Sequence, residues 1–416
     1  MSGTTSQVDT GQGSGHSGRY LWIPLFLVTG ATVSLALMRQ GIPVLYPFIQ
    51  DFFGLSRAQI GLITTAQASG FAAASMLAGW LTDKYGVKRM ISASLFILTA
   101  FTLIFPLVSS FFGIIALAVV IGIITSPLHP AATRAIIDWF PGKIRALAMS
   151  VKQMGVPIGG ALAAAVFPAL AIAVGWRMAA AVTGLLVLLI AVIFVLRYRD
   201  AARETKEVHK FDAATVKTIL RDRGLMTTIL WGAMFIGLQH TVLSYLMLFV
   251  IEALEVSPII AGGLLAIAQV SSIFARVFWG AASDFIFHRQ RIVVLAITGF
   301  LTVLWMTGVS FIGVGVPSSL IYLIAILIGI STLSFHGVFI TAIGEQAKTG
   351  QIGVTVGLST TINSIVQMLT PPLFGYLVDI TDSYRLVWRG TAAVAFLSTL
   401  ALIVFTRQLT DKSTDS

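Results

Sequence analysis

The feature that most restricts the fold is a succession of apolar stretches separated by short polar breaks. Each is about 20 residues or longer, enough for a helix to cross a hydrocarbon layer roughly 30 Å thick. The composition agrees: 56% of the 416 residues are apolar, 11% are charged and the mean hydropathy is +0.91. Soluble domains carry about 25% charged residues, so this chain has too few to cover a water-facing surface. The expected fold class is an all-α polytopic membrane protein with twelve spans, at 20–50, 57–82, 88–108, 112–140, 144–173, 176–197, 223–251, 257–284, 291–312, 318–345, 351–379 and 385–407. The chain has no cysteine, which excludes disulfides, thiolate catalysis and thiolate metal sites.

A net charge of +10 raises the question of nucleic acid, and the positions of the cations answer it. With the N-terminus inside, twenty of the 27 Lys and Arg fall in cytoplasmic loops or at cytoplasmic span ends, eight of them from Arg197 to Arg223. Four fall outside: Arg57, Arg177, Arg385 and Arg389. This is the positive-inside asymmetry. It places both termini in the cytoplasm, calls for a bilayer as partner and leaves nucleic acid unnecessary. Residues 1–18 are rich in Gly, Ser and Thr, lack the basic start and apolar core of a cleaved signal, and read as a disordered cytoplasmic tail.

The longest polar stretch, 198–222, divides two sets of six spans, 19–197 and 223–407, with a second tail at 408–416. The halves repeat. An offset of 201 carries Phe48 onto Phe249, Ser56 onto Ser257, Gly61 onto Gly262, Gly79 onto Gly280 and Asp83 onto Asp284; an offset of 207 carries Gly122 onto Gly329 and His129 onto His336. Such duplication implies a pseudo-twofold along the membrane normal with a cavity between two six-helix bundles.

Between spans 2 and 3 stands Gly79-Trp80-Leu81-Thr82-Asp83-Lys84-Tyr85-Gly86-Val87-Lys88-Arg89. The small Gly79 suits close helix approach, Asp83 suits a helix N-terminus or a cation, and the basic run suits an inner loop. Gly280-Ala281-Ala282-Ser283-Asp284 is a degraded copy. The motif resembles the signature loop of major facilitator transporters, matched at every defined position. The resemblance covers nearly all of the chain from Leu21 to Arg407 and makes Gly79, Asp83, Lys84, Gly86, Lys88, Arg89, Arg134 and Asp284 a conformational latch. Arg39, Pro127-x-x-Pro130-Ala131-x-x-Arg134, Trp139-Phe140-Pro141 and Arg145-Ala146 are similar to the anion:cation symporters of sugar acids, phosphate and organic anions. There the span 1 arginine holds the anion and a span 4 acid takes the proton. Thr125 stands at the acid's position here. Arg276-x-x-x-Gly280-x-x-x-Asp284 is similar to span 8 of monocarboxylate and oxalate/formate carriers, whose arginine faces the anion.

The residues lead to the same substrate class independently. A charge near mid-membrane costs roughly 2.5–3.5 kcal/mol on insertion scales and is seldom kept without a use. No carboxylate falls near the middle of a span, whereas Arg39, Lys152 and Arg276 lie well inside. The counter-charge is then expected from a small anionic substrate, and a guanidinium suits a carboxylate or phosphate. Snorkelling of Arg39 outward or of Lys152 to the cytoplasmic surface, or helix packing by Arg276, is the alternative use. His129, His240 and His336 are candidate proton carriers or hydrogen-bonded core histidines. Gln67, Gln153, Gln239, Tyr245, Asn363 and Gln367 are candidate cavity-lining groups or interhelical bridges. Against the anion stands Gly155-Val156-Pro157-Ile158-Gly159-Gly160, which resembles the glycine-proline motif of drug:proton antiporters. No P-loop, His-Glu-x-x-His or intramembrane carboxylate pair is present, so no enzyme is expected, nor any cofactor or metal. The expectation is a monomeric inner-membrane carrier of a small organic anion, with proton symport or anion exchange as its mode. A proton-coupled drug or sugar carrier of the same fold, or a transporter-like sensor, is the alternative.

Overall fold

The computed structural model describes residues 22–140, 142–201, 213–347 and 351–414. The tail expected at 1–18 and linker residues 202–212 lie outside them. The regular structure is helical, with no strand among the described residues. The first half comprises α1 (Trp22–Val44), α2 (Tyr46–Phe53), α3 (Arg57–Tyr85), α4 (Val87–Ile104), α5 (Phe111–Thr125), α6 (Leu128–Trp139), α7 (Gly142–Val174) and α8 (Trp176–Arg197). A short α9 (Ala213–Arg221) occupies part of the stretch expected to be a loop. The second half comprises α10 (Arg223–Leu254), α11 (Pro258–Ala281), α12 (Arg291–Val309), α13 (Ser318–Ile330), α14 (His336–Gln346), α15 (Ile352–Thr381) and α16 (Tyr384–Thr414). Helix α16 therefore carries on through residues assigned by sequence to the tail after 407.

Among the described residues, nine helical segments are long and apolar enough to cross a membrane, or ten if α3, bent by 50° between Ser75 and Leu77, is one span. Within the span drawn at 318–345, Ser319–Ile330 is a shorter apolar helix, set apart from α14 by a break. Phe26, Leu107, Phe112, Leu196, Phe274, Phe285 and Leu397 are exposed on the outer faces of the bundle, as a lipid-facing surface requires.

Three spans drawn as continuous are interrupted, each for a local reason. Pro43 and Pro47 bracket the break at Leu45 between α1 and α2, since proline withdraws an amide donor from the ladder. Pro127 and Pro130 do the same between α5 and α6. Between α13 and α14 there is no proline, and hydroxyls take over main-chain carbonyls instead: Ser331 Oγ donates to Leu327 O at 2.6 Å and Ser334 Oγ to Ile330 O at 2.7 Å. Neighbouring helices complete the bonding, with Trp279 Nε1 reaching Ile330 O at 2.6 Å and Arg276 Nη2 reaching Leu333 O at 3.0 Å. Non-helical backbone at membrane depth survives only with such partners. By contrast, α7 and α15, which contain Pro157, Pro168, Pro371 and Pro372, run without interruption.

The internal repeat is visible in the packing. Ser56 opens α3 with a capping box to Gln59, and Ser257 caps α11 at the related position. Gly122 of α5 seats against the carbonyl of Gln67, and Gly329 of α13 against that of Ala268, positions related by the two offsets. Gly61 of α3 lies against the backbone of Pro372 of α15, while Gly262 of α11 lies against Ala164 and Pro168 of α7. Thus α3–α15 and α7–α11 are the two pseudo-symmetric contacts between halves, and a Cβ at either glycine would push them apart.

Candidate functional site

Six ionisable side chains converge from the two halves. Arg39 on α1 lies with its guanidinium carbon 4.4 Å from the centre of the Phe71 ring on α3. Lys152 on α7 is 1% exposed, and its Nζ donates to Thr133 Oγ1 at 3.0 Å. His129, just past the α5–α6 break, lies within electrostatic range of Lys152, Arg39 and His336. From the second half, His240 on α10 is coupled to Arg39 and His336, and pairs with Gln367 Nε2 of α15 at 3.3 Å. His336 opens α14 beside Arg276 of α11. The α5–α6 and α13–α14 breaks place the repeat-related His129 and His336 within this one array.

No carboxylate joins it. Every carboxylate among the described residues stands at a span end or in a loop. The partners of the three cations are neutral: an aromatic face, a hydroxyl and the Leu333 carbonyl. Arg276 keeps Nε buried with no partner, as do Gln67 its Nε2, Gln153 its Oε1 and Asn363 its Oδ1. Arg276 therefore serves both readings of its sequence position, bonding the broken helix while holding one donor free. Thr125 turns its hydroxyl back to Ile121 O at 2.8 Å and Gly122 O at 3.1 Å, so it is satisfied within its own helix. Gln239 is half-buried beside His240.

Of the two readings of Tyr245, cavity lining and interhelical bridge, the structure shows the bridge. Tyr245 is fully buried, and its hydroxyl donates to Arg57 O at 2.7 Å, between Gly61 and Gly375. It belongs to a polar seam that joins the halves at one end of the bundle. Arg57 Nη2 of α3 meets Glu252 of α10 at 2.8 Å. Asp379 of α15 accepts the main-chain N–H of Arg57 at 3.0 Å and of Ala58 at 2.8 Å, capping the first turn of a helix in the other half. Deeper in, Thr64 bridges Tyr46 at 2.7 Å and Ser244 at 3.0 Å, and Thr65 donates to Met368 O. Beside Arg39, Gln40 binds Val156 O and accepts from Gln269 of α11. Sequence reasoning missed this seam; its one signal was Arg57, a cation at the end expected to be poor in them.

Among the described residues, the ion pairs at the opposite end stay within each half. Arg134 joins Asp83 at 3.2 Å and Asp138 at 2.8 Å; Arg291 joins Asp284 at 2.6 Å and Glu345 at 3.1 Å. The motif's Gly86 turns α3 into α4 with φ of 88°, a conformation glycine alone adopts readily. Lys84 lies over the Trp80 and Tyr85 rings, the Lys88 amide bonds Asp200, and Arg89 is exposed. Gly79 does not make the close helix approach expected of it. A Cβ there would meet nothing within 4 Å, and the same holds at Gly280, because the helices that meet across the halves do so at the Arg57 end. The glycines of 155–160, read as an antiport motif, are taken up by packing: Gly155 and Gly159 seat α7 against α1, and Gly160 lies against Gln40 and Gln269.

Comparison with known proteins agrees with this architecture. A hexuronate transporter of Bacillus subtilis (strain 168) is 22% identical over 93% of this chain and 95% of its own. A probable sulfoacetate transporter of Cupriavidus necator is 25% identical over 91% and 92%. Among solved structures, a bacterial homologue of the human lysosomal transporter Spinster, in an inward-facing and unoccupied conformation, superposes with a TM-score of 0.78 at 18% identity, covering 94% of this chain and 98% of that one. The sequence profile described as Major Facilitator Superfamily matches residues 28–371. The fold, the duplicated halves and that match lead to one conclusion: the chain belongs to the Major Facilitator Superfamily, a family of transporters rather than enzymes.

Proposed function

We propose that the protein is a secondary carrier of a small organic anion that works by alternating access in the inner membrane. One observation carries the reading: Arg39, Lys152 and Arg276 converge from both halves with no carboxylate beside them. Buried cations without an internal counter-ion favour a ligand that brings one. The names of the hexuronate and sulfoacetate relatives point to the same class. In this reading Arg39 and Arg276 hold acidic groups and Lys152 adds positive potential. Gln67, Gln239, Asn363 and Gln367 line the site. His129, His240 and His336 are the groups available to carry a proton.

The carrier is monomeric, with halves 19–197 and 223–407. Positive-inside topology puts the Arg57 end outside and the termini in the cytoplasm. In this reading the seam closes the outer end and the substrate enters and leaves the described conformation from the cytoplasmic side. Asp83, Arg134 and Asp284, with Gly79, Lys84, Gly86, Lys88 and Arg89, form the inner latch that engages when the halves tilt the other way.

A melting-temperature screen in detergent tests the substrate class, because a ligand at 100 times its Kd stabilises by about 2.7 kcal/mol. Stabilisation by carboxylates such as glucuronate or galactarate, lost in Arg39→Ala, is expected. Stabilisation by cationic drugs or neutral sugars alone, or an undiminished response in Arg39→Ala, overturns the assignment.

A further inference from the structure

We infer that the carrier is an obligatory exchanger, moving one anion inward only as another moves outward; the inference rests on the anion reading above. In alternating access the cavity must be sealed twice per cycle, once in each direction. Net transport requires one of those closures to occur with the site empty. Here an empty site holds three cations, Arg39, Lys152 and Arg276, whose partners are the Phe71 ring, the Thr133 hydroxyl and the Leu333 carbonyl. Dipoles of this kind solvate a charge without cancelling it.

Among the described residues no acid stands ready to take the anion's place. Asp83 and Asp138 are engaged by Arg134, Asp284 and Glu345 by Arg291, and Glu252 and Asp379 by Arg57, all at the ends of the spans. The other ionisable groups of the array are His129, His240 and His336. These add positive charge when protonated and none otherwise. A bound anion therefore supplies charge balance in both closures, and the empty carrier is held back in whichever state it released its cargo. Each cycle exchanges one anion for another and needs no proton.

The test uses the full chain in liposomes with radiolabelled glucuronate, galactarate and sulfoacetate. Vesicles preloaded with the same unlabelled acid should take up label at least about fiftyfold faster than empty vesicles of equal ionic strength, the deficit expected from one uncompensated buried cation. An imposed proton gradient should leave that ratio unchanged. Lys152→Gln, which removes one of the three charges, should lower the ratio of exchange to net uptake. Equal uptake into empty vesicles, net uptake driven by an inward proton gradient, or a ratio unmoved by Lys152→Gln overturns exchange while leaving the anion reading in place. Absence of acid flux under every condition removes the anion reading and the inference with it.

Discussion

Replacing Asp379 by asparagine should open the seam at the Arg57 end without touching the cation array. In the structure the Asp379 carboxylate accepts two main-chain N–H groups from the first turn of α3, at 3.0 and 2.8 Å, and its side chain is 23% exposed. Asparagine keeps one acceptor oxygen and loses the charge. Loss of a capping acceptor costs about 1 kcal/mol, and loss of a negative charge at a helix start costs roughly 0.3–1 kcal/mol. Arg57 contributes little to the difference, because it sits 3.7 Å from Asp379 and retains Glu252 at 2.8 Å. The sum, about 1.3–2 kcal/mol, shifts the balance between closed and open seam by roughly ten- to thirtyfold.

The absence of cysteine from the chain makes this directly measurable. Ser244 is 1% exposed and bonded across the halves to Thr64, so Ser244→Cys reports on opening with little change of size. Its labelling by a membrane-impermeant maleimide added outside should accelerate about ten- to thirtyfold with Asp379→Asn. Asp382→Asn should leave the rate unchanged, since Asp382 is 91% exposed and 3.8 Å from Arg57. Equal labelling in the Asp379→Asn and parent proteins would refute the capping argument. Labelling only from the opposite face would refute the proposed orientation.

At the other end, Asp83→Asn should slow turnover in a transport assay and leave affinity for the stabilising acid intact, because Asp83 pairs with Arg134 and with no member of the array; a pure loss of affinity would count against the latch. Gly122→Val and Gly329→Val should each lower the melting temperature, since either side chain would meet a neighbouring helix's carbonyl, whereas Gly79→Ala, with open space around it, should leave the melting temperature unchanged. Thr332→Val strands the indole N–H of Trp305, now bonded at 3.0 Å. It should cost about 1–3 kcal/mol, read as a lower unfolding midpoint, and a neutral result would show that another acceptor takes the bond.

The sequence by itself determined the membrane class, the duplicated halves and the presence of buried cations without buried acids. Each follows from local composition or from spacing along the chain: apolar runs set the spans, the offsets 201 and 207 set the repeat, and the cost of a buried charge singles out Arg39, Lys152 and Arg276. Those residues could be named individually, but no periodicity says that they meet. Only tertiary structure decided that His129 and His336 face one array, because the breaks that place them depend partly on donors from elsewhere, as Arg276 and Trp279 supply to the α13–α14 break. Tyr245 and Asn363 look alike as polar groups in apolar helices, yet the tyrosine is sealed into the seam by Arg57 while the asparagine keeps an unpartnered oxygen. The seam itself joins residues hundreds of positions apart, Arg57 to Asp379 and Gln40 to Gln269. Hydrophobic periodicity records which face of a helix avoids water or lipid. It carries no record of which distant helix covers that face, and the pairing of halves at one end of the bundle is therefore a property of the packed molecule alone.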